Sequence, residues 1–213
     1  MTWAMNIPDP THDLRELVEL EKLFEPVKDV SLLKEIDHVD DNYAAWIAAS
    51  PFCVLATAGP SGLDCSPRGD EPGFVKRLDR KTLVLPDRRG NNRIDSLRNL
   101  MVDPRAALLF FLPGQGETLR VNGRCRINAD PDALAQFAVG GKPPKLLLVL
   151  SVEAAYFQCS RALVRSRLWD AAGDGAPRGL PTPGQILAGI SRQRIDGAAY
   201  DRDLPERIKT TLY

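Results

Sequence analysis

The chain has 213 residues, with 28 Lys plus Arg against 28 Asp plus Glu and 44% hydrophobic residues. A chain this long buries roughly 70% of its unfolded surface and needs no disulfide or metal to fold. A formal charge of zero is not that of a dedicated nucleic-acid binder or an acidic disordered segment, and 17 prolines with 16 glycines argue against a bundle of long helices.

No apolar run approaches the ~18 residues of a membrane span; the longest aliphatic stretch is 146–150. The opening MTWAMNIPDP has neither the basic nor the apolar region of a signal peptide, so a cytoplasmic location is expected. Cys53, Cys65, Cys125 and Cys159 form no CxxC pair, and three of them fall in strand-like apolar runs. Buried free thiols of a reducing compartment are the expectation. With His12 and His38 as the only histidines, no metal site is expected.

In chain order, residues 13–24 place Leu14, Leu17, Val18, Leu20 and Phe24 near helical spacing, which predicts a helix ended by Pro26. A second helix is predicted over 40–50, opened by Asp40 or Asp41 and stopped by Pro51. Residues 52–58 (FCVLATA) read as a strand, GPSG at 59–62 as a turn, and 63–66 as the return strand of a hairpin. Residues 73–77 and 81–85 read as another pair, with LDR as their turn. Ile94, Leu97, Leu100 and Met101 mark a short helix starting near Asn92 and ending before Pro104. Residues 106–112 form a continuous apolar strand, and PGQGE is a loop. Residues 118–128 (TLRVNGRCRIN) alternate with period two, with Gly123 as a bulge or a point of close approach. A helix capped by Asp130 is predicted over 131–139, a long strand over 145–157, and a helix or turn through SRALVRSRLWD. Residues 171–184 read as a Gly/Pro-rich loop, and the tail carries a short helix at QILAGISRQ.

Six or seven short strands between 52 and 157, joined by turns too short for crossovers, predict a small antiparallel barrel, mainly β with flanking helices. The expected organisation is one domain overall: N-terminal helices packing on the barrel (1–50), the barrel (51–170), and a loop and tail (171–213).

The chain has no GxSxG nucleophile elbow and no Walker A loop, and a catalytic triad would have to recruit His12 or His38 from outside the barrel. Arginines at strand ends and turns stand out instead: Arg68 in SPRGD, Arg88, Arg89 and Arg93 around GNN, Arg120 inside a strand, and Arg165 and Arg167 in VRSRLW. A planar guanidinium suits bidentate binding of phosphate oxygens, and a helix N-terminus offers free N–H groups. Asn91, Asn92 and Arg93 therefore read either as a phosphate cradle or as a plain helix cap with solvated arginines. Arg120, next to residues expected to be buried, requires a partner. Tyr43, Trp46 and Ile47 are open to a dimer face or to intrachain packing.

The runs LATAGPSGLDCSPRGD, LPDRRGNNRIDSLRNL, FFLPGQGETLRVNGRCRI and CSRALVRSRLW, in that order, resemble the pyridoxamine 5'-phosphate oxidase-like flavoproteins, and within them the uncharacterised FMN-dependent subgroup. The resemblance spans about residues 40–170. It implies an antiparallel six- to seven-stranded split barrel of the FMN-binding type. It also implies a homodimer with FMN at the subunit interface. Arg68, with Ser66 beside it in SPRGD, corresponds to the family arginine near the flavin phosphate and ring. Asn91, Asn92 and Arg93 stand at a Ser-Arg-Lys phosphate-binding triplet, Pro86 and Asp87 run along the isoalloxazine, Thr118 and Arg120 fall in a QVRxxG strand, and Trp169 with Arg165 closes the site from the C-terminal side. Residues 161–169 read RALVRSRLW where the true oxidases carry RLHxR, so oxidation of pyridoxine phosphate is not expected. The implied activity is that of an FMN-dependent oxidoreductase of unknown substrate, with a small-molecule redox partner such as NAD(P)H and no nucleic acid or membrane. The alternatives are a non-catalytic flavin carrier or sensor, or the same barrel binding F420. No side chain is singled out as a catalytic acid or base.

Overall fold

The computed structural model describes residues 7–60, 62–170 and 179–213, so Ser61 of the predicted first turn and residues 171–178 of the predicted Gly/Pro loop lie outside the described residues. The chain divides into a unit ending at Lys34 and a unit running from Glu35 to Tyr213.

The first unit holds a 3-10 turn at Pro10–His12 and two short helices, α1 (Leu17–Glu21) and α2 (Asp29–Leu33). The single helix predicted over 13–24 is therefore cut to one turn and a half. Glu16 takes an extended conformation as N-cap and forms a capping box with Glu19, which fixes the start of α1 three residues later than the apolar spacing suggests. Helix α2, which the apolar pattern did not mark, is equally short.

The second unit is built on one seven-stranded antiparallel sheet. Its strands are β1 (Phe52–Gly59), β2 (Gly62–Gly69), β3 (Lys76–Asp79), β4 (Thr82–Asp87), β5 (Arg105–Phe111), β6 (Thr118–Asn128) and β7 (Leu146–Gln158), in the order β2-β1-β5-β6-β7-β4-β3. This is the six- to seven-stranded mainly β architecture expected of the split barrel. Alternation does most of the work: Cys53, Leu55, Leu108, Phe110, Leu119, Val121 and Cys125 all point into one core. β4 and β7 read as continuous apolar runs because they are buried on both faces. Val84, Leu147 and Val149 face away from the main core and are covered by Ala133, Leu134 and Phe137, in and just after helix α5 (Pro131–Ala135). That helix is capped by Asp130 as expected but ends at Ala135, short of the predicted Val139.

Helix α3 (Asp41–Ala49) begins at its Asp40 cap, whose carboxylate accepts from the Tyr43 N–H at 2.8 Å. Ile47 is fully buried in the core, and Tyr43 and Trp46 pack against it, so intrachain packing accounts for Ile47. Gly123 sits where the β6–β7 register shifts, and a Cβ there would collide with the Ser151 carbonyl. Bulge and close approach coincide at this one position.

Two of the four cysteines depart from the buried-thiol expectation. Cys53 and Cys125 are buried, whereas Cys65 and Cys159 are exposed. Cys65 lies on β2, an edge strand, and no neighbouring strand covers its outer side.

Helix α4 (Asp95–Val102) starts three residues later than predicted. The Asn91 side chain accepts from the Arg93 N–H at 3.0 Å, and Asn92 and Ile94 both take left-handed backbone (φ 60° and 54°), which holds the chain out of the helix until Asp95. Asn92 is therefore a loop residue and not the helix cap. α6 (Arg161–Ser166) follows β7.

The tail is more helical than the sequence suggests. α7 (Pro183–Ile190) is capped by Thr182, and the predicted loop at 171–184 thus ends inside the first turn of a helix. α8 (Gly197–Thr210) is capped by Asp196 and was hidden from pattern reading by Pro205 in its interior. The two helices touch backbone to backbone at Gly184 and Gly197, and the Asp201 carboxylate accepts from the Gly184 N–H at 2.7 Å. No helix among the described residues is long and apolar enough to cross a membrane.

Candidate functional site

A cleft of about 560 Å³ opens where the end of β2, the end of β4, the loop 88–94 and the first turn of α4 converge. Helix α4 is held to the β1–β2 hairpin by polar side chains. Asn99 donates to Thr57 Oγ1 at 3.2 Å and fills the space beside Gly59, where any Cβ would strike it. Ser96 Oγ lies 2.9 Å from Ser66 Oγ and donates to the Asp64 carboxylate, which also accepts from Ser66 at 3.3 Å. These contacts fix the rear wall of the cleft.

Arg68 projects from β2 onto this wall. Its Nη2 donates to Ser96 Oγ at 3.2 Å and its Nη1 reaches the Pro67 carbonyl at 3.4 Å, yet its Nε is buried with no hydrogen-bond partner in the protein. A buried donor left unsatisfied is costly, so this N–H marks a place for an acceptor. The loop adds Asn91, Asn92 and Arg93. Arg93 is tethered by Asp95, whose carboxylate accepts from Nε at 2.7 Å, and stays exposed. Ile94 is a β-branched residue in the left-handed region, an uncommon and strained choice. Asp87 and Lys145 both line the cleft. Burial pushes the Asp87 carboxyl above its ordinary value, against the opposing pull of Arg68 and Lys145.

Of the expected site residues, Ser66, Arg68, Asp87, Asn91, Asn92 and Arg93 line this one cleft. Pro86 is fully buried beneath it, paired with Leu147 in the β4–β7 ladder. Thr118, Arg120, Arg165 and Trp169 do not line it. Thr118 is buried on β6 and donates to Gln158 Oε1 at 3.3 Å. Arg120 finds the partner its strand position demands: its Nη1 donates to the Tyr156 hydroxyl at 3.2 Å, and its guanidinium lies 5.8 Å from that ring. Trp169 Nε1 donates to the Gln115 carbonyl at 2.5 Å, and Arg165 is exposed on α6.

Sequence reasoning missed Asp64, Ser96 and Lys145. Ser96 was legible in principle as the third residue of the amphipathic run IDSLRN, facing back toward SPRGD. Asp64 and Lys145 carry no local signal and are brought in only by the pairing of β2 with β1 and of β4 with β7. Among the described residues, no group of three or more His, Cys, Asp and Glu side chains is placed to hold a metal ion.

The donors in the cleft are those an organic phosphate needs: a guanidinium with a free buried N–H, Asn side chains and the backbone at a helix start. The volume lies within the roughly 300–1,000 Å³ of cofactor pockets. The residues therefore fit a flavin mononucleotide.

No curated protein matches the chain. Solved structures with a similar fold include HupZ from Group A Streptococcus, at 19% identity over 57% of this chain and 95% of that one with a TM-score of 0.47. A protein related to general stress protein 26, of the pyridoxinephosphate oxidase family, from Clostridium acetobutylicum is 15% identical over 57% of this chain and 91% of that one, with a TM-score of 0.41. An FMN-binding protein from Syntrophomonas wolfei is 13% identical over 54% of this chain and 82% of that one, with a TM-score of 0.43. The family model of pyridoxamine 5'-phosphate oxidase matches residues 39–159, more than half of the chain and the whole of the sheet, and the chain belongs to that family.

Proposed function

We propose that the chain is an FMN-dependent oxidoreductase that works as a homodimer with FMN at the subunit interface. The observation that carries the reading is the buried, unpartnered Nε of Arg68 in a cleft lined with phosphate donors. Bound FMN supplies two-electron redox chemistry at the flavin ring. The chain's own residues bind and orient it. Arg68, braced by Ser96, holds the phosphate end against the rear wall, with Asn91, Asn92 and Arg93 closing over it. The backbone of Pro86 and Asp87 runs along the ring, and Lys145 keeps the mouth of the cleft cationic.

Thr118, Arg120, Arg165 and Trp169 complete the site from the partner subunit. Support for this division is that Thr118, Arg120, Arg165 and Trp169, expected at the cofactor, do not line the cleft of their own chain.

The test is the visible spectrum of the purified protein before and after acid release. Bands near roughly 370 and 450 nm, with FMN in the supernatant, are expected, followed by bleaching with NADH or NADPH. A protein that holds FMN tightly without bleaching is a carrier or sensor. A colourless protein that takes up no added FMN refutes both. Arg68→Ala is expected to weaken FMN binding by about 10- to 100-fold, the loss of a charge-assisted phosphate contact, read by quenching of FMN fluorescence.

A further inference from the structure

A second pocket, of about 320 Å³, adjoins the cleft. The two share Asp87, Arg88, Arg89, Asn92 and Lys145, and the second adds Lys142, Pro143, Pro144 and Tyr213. Its floor is built and buried. The Asp70 carboxylate, with its side chain 3% exposed, accepts from Arg88 Nε at 2.6 Å through one oxygen and from the Tyr213 hydroxyl at 2.7 Å through the other. Arg88 Nη1 donates to the Phe137 carbonyl at 2.7 Å, and the guanidinium lies 5.7 Å from the centre of the Tyr213 ring. Arg88 is thereby locked in place by three separate parts of the chain. Around it stand Arg89 and Lys145, and Lys142, whose Nζ donates to a main-chain carboxylate oxygen of Tyr213 at 3.4 Å. Four cations face three carboxylates, those of Asp87 and Asp70 and the main-chain carboxylate of Tyr213, and the surplus is positive.

We propose that this pocket is an anion subsite that takes a multiply charged oxyanion of the redox partner, such as the diphosphate of a nucleotide donor. The proposal rests on the flavin reading of the adjoining cleft. The flavin phosphate already has its own donors, Arg68 and Arg93, neither of which lines the second pocket. Lys142 and Tyr213 conversely do not line the cleft. A partner held by its phosphates over Arg88, Arg89 and Lys142 extends its other end across the shared wall of Asp87 and Lys145 to the flavin ring. Fixed arginine forks suit such a group, and lysines add charge without constraining its orientation.

The test is calorimetric titration of inorganic pyrophosphate into the flavin-saturated full chain. Saturable binding that weakens with added salt is expected. Lys142→Glu, an exposed position, is expected to weaken it by at least about tenfold while FMN affinity stays within about twofold. Tyr213→Phe, which frees Asp70 and loosens Arg88, is expected to weaken it by a smaller factor. Absence of pyrophosphate binding, an unchanged affinity in Lys142→Glu, or a parallel loss of FMN affinity in that variant overturns the subsite. The two readings fail separately. A chain that takes up no FMN refutes the flavin reading, and the same titration of the flavin-free chain and its Lys142→Glu variant still upholds or overturns the subsite.

Discussion

Arg68 stands directly across the β1–β2 ladder from Cys53, and burial acts on the two in opposite ways. The guanidinium keeps an unmatched N–H. The thiol loses its ionised form: desolvation pushes Cys53 up to about 12, only partly opposed by Arg68, and desolvation does the same for Cys125. Since the thiolate is the nucleophile, iodoacetamide at pH 8 is expected to label Cys65 and Cys159 in the native protein and all four cysteines only after denaturation, as counted by mass spectrometry. Asp87 provides a pH signature. Its carboxyl is raised by burial, so the folded state binds its proton more tightly than the unfolded state does. Stability is then lost as pH rises from the ordinary carboxylate value through the raised one, and the penalty persists above it. Asp87→Asn is expected to raise the Tm at pH 7, and the gain is expected to vanish below about pH 3, where both states are protonated. A gain that is the same at both pH values would assign the effect to packing instead.

At the scale of the element, the β6–β7 pairing is the longest in the sheet, and it tolerates its bulge because Gly123 has no Cβ. Gly123→Ala forces a side-chain atom against the Ser151 carbonyl and is expected to cost about 1–3 kcal/mol, measured by urea denaturation. The strands were legible because their burial is periodic: β6 lies over 118–128 as its alternation indicates. The helices were less so, for reasons that differ from case to case. α8 contains Pro205, and most of its residues are polar, so no apolar stripe announces it. α4 begins late because an Asn side chain and two left-handed residues override the apolar spacing that starts at Ile94. The cleft was half legible. SPRGD and GNNR carry local chemistry that singles out Arg68, Asn91, Asn92 and Arg93. Asp64, Ser96 and Lys145 reach the site by long-range pairing, which no window of sequence contains.

For the whole molecule, the expected cofactor-binding residues that lie away from the cleft set a condition on assembly. If Thr118 and Arg120 serve the cleft of a second copy, FMN affinity depends on protein concentration. Dilution below the dimer dissociation constant is expected to release FMN, with sedimentation velocity and flavin fluorescence changing together. An FMN affinity independent of dilution in a chain that sediments as a monomer would overturn the shared site. The outer margins of the sheet bear on how such copies can meet. β2 forms one margin and carries Pro67 near its middle, a residue admitted there only because its missing N–H would have pointed outward. β3 forms the other margin and is four residues long, with Lys76, Arg77 and Asp79 among them. Neither margin offers an unbroken row of donors and acceptors to an incoming strand. The ladder thus ends itself on both sides, so copies of this chain are steered away from the end-to-end strand addition that builds fibrils and toward contacts through faces and loops.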